Sequence, residues 1–213
     1  MKENLVLRPA FRSESILRKP NLKYVDYSDG AWEINEYDIC LENIDTDELE
    51  KIGSLETYTL NLDFMRSYYG NVHNAIVSAF EDAPSMNIVP YFKYFFTSTG
   101  KLKKTFTEDI DNSFLEMFVG MIHILSRITI DKKFRGNGLA KTSTEVYFHN
   151  MVRNSDLVFL LAYPLQHEGK KIPKKDQVSL NSYYEKIGFP HVKDTNYFFG
   201  TGERFITGMR NAN

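Results

Sequence analysis

Two apolar, β-rich stretches separated by a helical stretch constrain the fold of this chain more than any other feature. The first runs from Phe118 to Ile130, and the second is the continuous apolar run Leu157–Ala162, which Pro164 closes. Between them, the apolar residues of Leu139–Met151 recur at helical spacing. A strand that is apolar throughout is typical of a sheet position buried on both faces. The order strand, helix, strand therefore predicts a parallel βαβ unit in an α/β or mixed sheet.

The N-terminal half has weaker patterns. Alternating apolar residues predict one or two strands around Ala31–Leu41, and Tyr58–Leu62 is a further strand candidate. The acidic segment Asp45–Lys51 suits a short helix or a solvated turn. From Asp63 to Phe80, apolar residues recur every four positions, which predicts one amphipathic helix. The aromatic run Tyr91–Phe96 predicts a core strand.

Later segments predict one more helix and two short strands. Gln177–Ile187 predicts a helix that ends at Gly188, because glycine is a favoured residue just past a helix C-terminus. Short strands are predicted near Tyr197–Phe199 and Arg204–Thr207. The chain of 213 residues has no internal repeat and no evident linker, so we expect one domain.

Composition disfavours several classes of protein. Lys and Arg number 26 against 28 Asp and Glu, a formal charge of −2, whereas a protein held on nucleic acid by phosphate contacts is usually basic. The single cysteine, Cys40, cannot form an internal disulfide, which fits a reducing compartment and a structural role. No signal peptide or apolar run of about 20 residues is present, so we expect a cytoplasmic protein without membrane association.

The turn between the first strand and the helix carries the strongest functional signal. Gly136 and Gly138 let the backbone approach a ligand closely, and the free N–H groups of a helix N-terminus suit a pyrophosphate. An ordinary tight strand-to-helix turn is the alternative. The segment is not a Walker loop, because no Gly-Lys-Ser/Thr follows. It is not a dinucleotide fingerprint either, because Lys141 stands where the third glycine would be.

The sequence Arg-Gly-Asn-Gly-Leu-Ala at 135–140 resembles the Arg/Gln-x-x-Gly-x-Gly/Ala signature of the GNAT superfamily of N-acetyltransferases. A second segment, Asn181–Phe189, is similar to that family's later helix, which commonly ends Tyr-x-x-x-Gly-Phe. The resemblance covers about 118–199. It implies a GNAT-like α/β (α+β) fold, a mixed and partly parallel β-sheet flanked by helices, with acetyl-CoA in a splay between two central parallel strands.

The resemblance also implies how acetyl-CoA, as co-substrate, would bind. Backbone groups of Ile128 and Ile130 would pair with the pantetheine arm. Gln177 stands seven residues before the family's tyrosine, where an asparagine is frequent, and its longer amide would contact the cofactor. The amides of the turn would hold the pyrophosphate, and they belong to Arg135, Gly136, Asn137, Gly138, Leu139 and Ala140.

By the same resemblance, a substrate amine would attack the thioester directly. Tyr184, four residues before Gly188, would contact the cofactor and protonate the departing thiolate, with Tyr183 as the alternative. Candidates for the general base are His123, which could equally be a core histidine, and Glu168 in a charged loop that could serve as a lid or only face solvent. The histidine and glutamate spacings suggest no metal.

The predicted function is that of an acyl-CoA-dependent N-acyltransferase, most simply one that acetylates a primary amine. The acceptor is open between a small molecule, a protein and an aminoacyl-tRNA, the last disfavoured by the net charge. One domain would span 1–213, with acceptor-side elements in 1–115 and the acetyl-CoA-binding core in 116–199. The alternatives are a CoA-binding or regulatory module without catalysis and an acyltransferase with a longer acyl donor. Family members are often dimers, so a homodimer is compatible with the resemblance.

Overall fold

The computed structural model describes residues 13–15, 32–42, 49–83, 88–106, 110–117, 119–163 and 172–212. Six strands form one sheet in chain order. Neighbouring strands pair antiparallel except the fourth and fifth, which are parallel. The strands are β1 (Ser13–Ser15), β2 (Trp32–Glu42), β3 (Leu49–Asn61), β4 (Met121–Ile130), β5 (Leu157–Leu161) and β6 (Tyr197–Thr201).

Seven α-helices flank this sheet within the described ranges, four before β4, one between β4 and β5, one between β5 and β6, and one after β6. They are α1 (Leu62–Tyr69), α2 (Val72–Glu81), α3 (Val89–Phe95), α4 (Asn112–Met117), α5 (Leu139–Met151), α6 (Lys174–Lys186) and α7 (Gly202–Asn211). The predicted mixed, partly parallel sheet flanked by helices is therefore confirmed, and so is the parallel βαβ unit β4–α5–β5.

Side chains alternate across the sheet and divide the core into two clusters. Ile122 and Ile124 of β4 pack in a first cluster with α1, α2, α3 and α4. Leu125 packs in a second cluster with α5, α6 and α7. In β5, Phe159 belongs to the first cluster and Leu160 to the second, so this strand is buried on both faces as predicted.

The prediction of one helix from Asp63 to Phe80 was wrong, because the chain turns at Gly70 between α1 and α2. Gly70 has a φ of 75°, in the left-handed region, and ends α1. Asn71 then caps α2, its side chain accepting a hydrogen bond from the amide of Asn74. The spacing of four was misleading, since Phe64 is exposed.

Three other segments differ from the predictions. The aromatic run Tyr91–Phe96 lies mainly in helix α3, whose buried residues Tyr91 and Phe95 are four apart and share one face. Arg204–Thr207 belongs to α7, a helix capped by the side chain of Thr201. In the acidic segment Asp45–Lys51, the last three residues begin β3 and the others lie outside the described residues.

Candidate active site

The two parallel strands separate in the middle of the sheet. β4 and β5 pair only from Ile122 opposite Leu157 to Leu125 opposite Leu160, and β4 then continues to Ile130 with β3 alone. The separation begins at a β-bulge, because the register between β3 and β4 shifts at Ser126 and leaves this residue without a cross-strand partner. A bulge bends its strand, which accounts for the divergence of β4 from β5.

A cavity of about 590 Å³ opens where the two strands separate. Its walls include β4 from Ser126 to Ile130, Leu160 and Leu161 of β5, and Tyr183 and Tyr184 of α6. A volume of this size is within the usual range for small-molecule sites. The β4–β5 splay expected from the resemblance is thus a real opening, and it is large enough to take a ligand.

The backbone of β4 faces this opening at the two predicted positions. The amide of Asp131 donates to the carbonyl oxygen of Ile52 in β3 at 2.8 Å. Because backbone groups point to alternate sides along a strand, the N–H and C=O groups of Ile130 and Ile128 point away from β3, toward the open edge. The Nε of Arg135 donates to the Ile130 carbonyl at 2.8 Å and fixes the turn that follows.

That turn leaves a row of backbone amides without acceptors. Gly136 and Gly138 have φ values of 84° and 74°, a conformation that L side chains rarely adopt. α5 then begins with no side-chain cap at Gly138. In the described part of the chain, the amides from Gly136 to Ala140 donate to no other group. Together with the helix dipole, they form an arrangement suited to an anion.

Tyr184 lines the same cavity. Its ring stacks on Phe189, with centroids 5.6 Å apart and planes at 16°, and its carbonyl accepts the Phe189 amide at 3.0 Å. Gly188 allows this return, because a Cβ there would lie 2.0 Å from the Gly208 carbonyl oxygen. Burial, and then the nearby Tyr183 hydroxyl, raise the pKa of Tyr184 well above its ordinary value, so the phenol keeps its proton.

Two predicted site residues have other surroundings. The Gln177 amide does not line the cavity; it donates to the Ala162 carbonyl at 2.6 Å and so supports the end of β5. His123 is buried between α5 and the sheet, with Nδ1 2.9 Å from the Tyr147 hydroxyl and Nε2 3.3 Å from Asp156. This is the environment of a core histidine. Glu168 lies outside the described residues.

The structure also reveals an acidic group at the opening that the sequence did not indicate. The Ser126 hydroxyl, in the cavity wall, donates to Oε1 of Glu56 on β3 at 2.6 Å. Glu56 is half-buried, and Glu36 of β2 lies directly opposite it. Glu56 and Ser126 are 70 positions apart, and only the bulge in β4 brings them together.

Two other properties of the described residues bear on the choice of function. They contain no group of three or more His, Cys, Asp or Glu side chains arranged to hold a metal ion. Among the described helices, none has the length and apolar character needed to cross a membrane.

Comparisons with known proteins place the chain near two solved structures. One is a tyrosine-to-phenylalanine mutant of KacT, 12% identical, with a TM-score of 0.37 over 82% of this chain and 74% of that one. The other is a tyrosine-to-phenylalanine mutant of the toxin AtaT, 12% identical, with a TM-score of 0.36 over 81% and 69%. No protein-family model matches the sequence, and no curated protein matches it. Both TM-scores are below 0.5, so neither likeness indicates a function for this chain.

Proposed function

We propose that this chain is an acyl-CoA-dependent N-acyltransferase that transfers acetyl from acetyl-CoA to a primary amine. The observation that carries the proposal is the opening between β4 and β5, whose lining includes Arg135, the residue directly before the turn with unused amides at the α5 N-terminus. A phosphate group, an extended chain with amide groups and a thioester need three different kinds of partner. The opening and the turn that adjoins it at Arg135 offer these three kinds.

The chemistry of the site fits each portion of acetyl-CoA. The amides of the Gly136–Ala140 turn, with the terminal nitrogens of Arg135, suit the pyrophosphate. The backbone edge of β4 at Ile128 and Ile130 suits the amides of the pantetheine arm, which would take the place of a neighbouring strand. The Tyr184 hydroxyl, which bonds to no described residue, suits the sulfur.

A primary amine is protonated at neutral pH and has to lose a proton before it attacks. We assign this step to Glu56 acting through Ser126, because the serine hydroxyl lines the cavity and already donates to the carboxylate. Ser126 takes a proton from the ammonium group while passing its own to Glu56. His123 is 2% exposed and is not among the residues that line the cavity, so the step is not assigned to it.

Tyr184 handles the proton that the departing sulfur needs and the proton that the attacking nitrogen has to lose. The free amine attacks the carbonyl carbon, and the carbonyl oxygen takes up the electron pair. When the C–S bond breaks, Tyr184 donates its proton to the departing sulfur and then recovers one from the amine nitrogen. The raised pKa of Tyr184 keeps the phenol protonated before this step. The products are an N-acetyl amide, CoA and the proton held by Glu56, which passes to solvent.

The test is release of free thiol from acetyl-CoA in the presence of a panel of amines, with mass spectrometry of the acetylated product. We expect thiol release that requires both the amine and the protein. Propionyl-, butyryl- and octanoyl-CoA serve as competing donors, and faster turnover of a longer acyl group would replace acetyl in the proposal. Binding of acetyl-CoA with no product from any amine would instead indicate a CoA-binding module.

A further inference from the structure

The helix that carries Tyr184 has a weak hydrophobic attachment to the sheet. α6 contains no fully buried side chain, and only Leu180, Tyr183 and Tyr184 pack partly against the second core cluster. Each of the other six described helices places at least one buried side chain in the core. Apolar burial, the main stabilising contribution in most helix packing, is therefore small at α6, and polar contacts determine where this helix lies.

The side-chain amide of Asn181 supplies such contacts in the middle of α6. Its Nδ2 donates to the carbonyl oxygen of Thr195 at 3.1 Å and to Oδ1 of Asn196 at 3.1 Å. Its Oδ1 accepts a hydrogen bond from Nε2 of Gln177 at 3.0 Å, and the same nitrogen donates to the Ala162 carbonyl. Because the Ala162 amide in turn donates to the Asn196 carbonyl at 2.8 Å, these bonds join α6 to the residues that follow β5 and precede β6.

Tyr184 lies one turn after Asn181 on α6. A separation of three positions places the two side chains on the same face of a helix. The Tyr184 ring lies against Phe198 of β6, with the ring centroids 5.5 Å apart. Beyond Tyr184, the backbone of Gly188 packs directly on that of Gly208 and fixes the end of the helix. Tyr184 is therefore held between two attachments, and Asn181 is the one nearer the end of β5.

We propose that Asn181 is a positioning residue of the acyl-transfer site, whose side-chain amide fixes α6 and thereby holds Tyr184 at the cavity for proton donation to the departing sulfur. The proposal rests on the proposed function for the role of Tyr184. Asn181 is not among the residues that line the cavity, so it acts through Tyr184 and not on the cofactor. Without its bonds to Thr195 and Asn196, the first half of α6 is free to move relative to the sheet. A displacement of about 1 Å in a reacting group lowers a rate by up to about 100-fold.

The first experiment compares Asn181→Leu with Asn150→Leu in binding and kinetics. Leucine has nearly the shape of asparagine but no hydrogen-bonding group in its side chain. Asn150 is the control, because its Nδ2 donates to the Val146 carbonyl at 2.8 Å within its own helix, α5. We expect Asn181→Leu to lower kcat about 10- to 100-fold, with the Kd of acetyl-CoA within about twofold, and Asn150→Leu to change neither constant. A lower Tm for Asn181→Leu with kcat unchanged would overturn the proposal.

A double-mutant cycle separates the positioning of Tyr184 from a general loss of structure. In a Tyr184→Phe background the proton donor is already absent, so adding Asn181→Leu should lower kcat little further. An equal loss of kcat in both backgrounds would mean that Asn181 acts on another part of the site, and the proposal would fail.

The last experiment needs no turnover and follows the Tyr184 ring by NMR in protein carrying ¹³C-labelled tyrosine, with the signal assigned by its absence in Tyr184→Phe. Asn181→Leu and Asn181→Asp both remove the Nδ2 donor, and aspartate also keeps the shape of the side chain. Both variants should shift the Tyr184 signal, because the rings of Phe189 and Phe198 beside it set its chemical environment, whereas Asn150→Leu should leave the signal in place. An unchanged signal in either Asn181 variant would overturn the proposal. If the unmodified protein acetylates no amine, the proposed function fails, and the Tyr184 signal still decides whether Asn181 holds this side chain.

Discussion

Replacing Gly138 by glutamate tests where the cofactor's phosphates bind. Gly138 caps the start of α5, and a Cβ at this position would meet no atom within 4 Å. The new side chain therefore extends into open space beside the unused amides. It places a carboxylate where the proposal places a pyrophosphate. The chain also provides a matched control in Gly70, which has a φ of 75° against 74° at Gly138 and is equally open.

The two substitutions have the same conformational cost and differ only in their electrostatic effect. A side chain in the left-handed region costs about 1–2 kcal/mol at either position, so Gly70→Glu and Gly138→Glu should lose similar stability. A carboxylate about 5 Å from two phosphate charges, at an effective dielectric constant of about 40, is repelled by about 3 kcal/mol, and salt lowers this to about 2–3 kcal/mol. Such a repulsion weakens binding about 30- to 150-fold.

Isothermal titration calorimetry with CoA measures this difference, and urea unfolding checks the matched loss of stability. Gly70→Glu should bind CoA like the unmodified protein. Gly138→Glu should bind it at least about 30-fold more weakly, with a loss that shrinks at high salt. Equal affinities for the two variants would refute the placement of the pyrophosphate at the α5 N-terminus.

Three further predictions follow from the site. Tyr184→Phe should lower kcat about 100-fold while calorimetry finds CoA affinity unchanged, because only the proton for the thiolate is lost. Glu56→Gln should lower the rate about 100-fold at pH 7, and steady-state rates measured against pH should show this loss disappearing near the amine pKa of about 10.4. The control is Glu36→Gln, a change on the facing strand that leaves the Ser126–Glu56 hydrogen bond in place and should keep the full rate. Equal losses in both variants would contradict proton transfer through Ser126 to Glu56. Burial raises the pKa values of Tyr91, Tyr147 and Tyr184, so the folded state holds protons that the unfolded chain releases near pH 10. The urea midpoint of unfolding should therefore stay level up to about pH 10 and fall above it. A fall that begins near pH 8 would argue against the raised pKa values of these three tyrosines.

The segment from β4 to α6 could be predicted because its signals are local. β5 is apolar throughout and α5 keeps a regular spacing, so a short window of sequence defines each element. The turn between β4 and α5 is likewise fixed by adjacent residues, above all Gly136 and Gly138. These are the segments where local preference and tertiary packing agree.

Part of the fold before β4 could not be predicted, because the elements concerned depend on contacts distant in sequence. Tyr91–Phe96 has the composition of a strand, yet α3 forms since one helical face buries Tyr91 and Phe95 against the sheet. Glu56 is one polar residue in a long strand, and its importance depends on the bulge at Ser126 in another strand. Pairwise geometry of this kind leaves no trace in a single sequence.

The most direct test of the central claim is a thermal-unfolding titration of the full chain with acetyl-CoA, in parallel with CoA and NADH. A ligand that binds only the folded state raises its stability by about 2.7 kcal/mol at a hundredfold excess over Kd. We predict a saturable rise in Tm with acetyl-CoA and with CoA, and none with NADH. No rise with any CoA species, or an equal rise with NADH, would contradict the assignment of the β4–β5 opening as an acyl-CoA site.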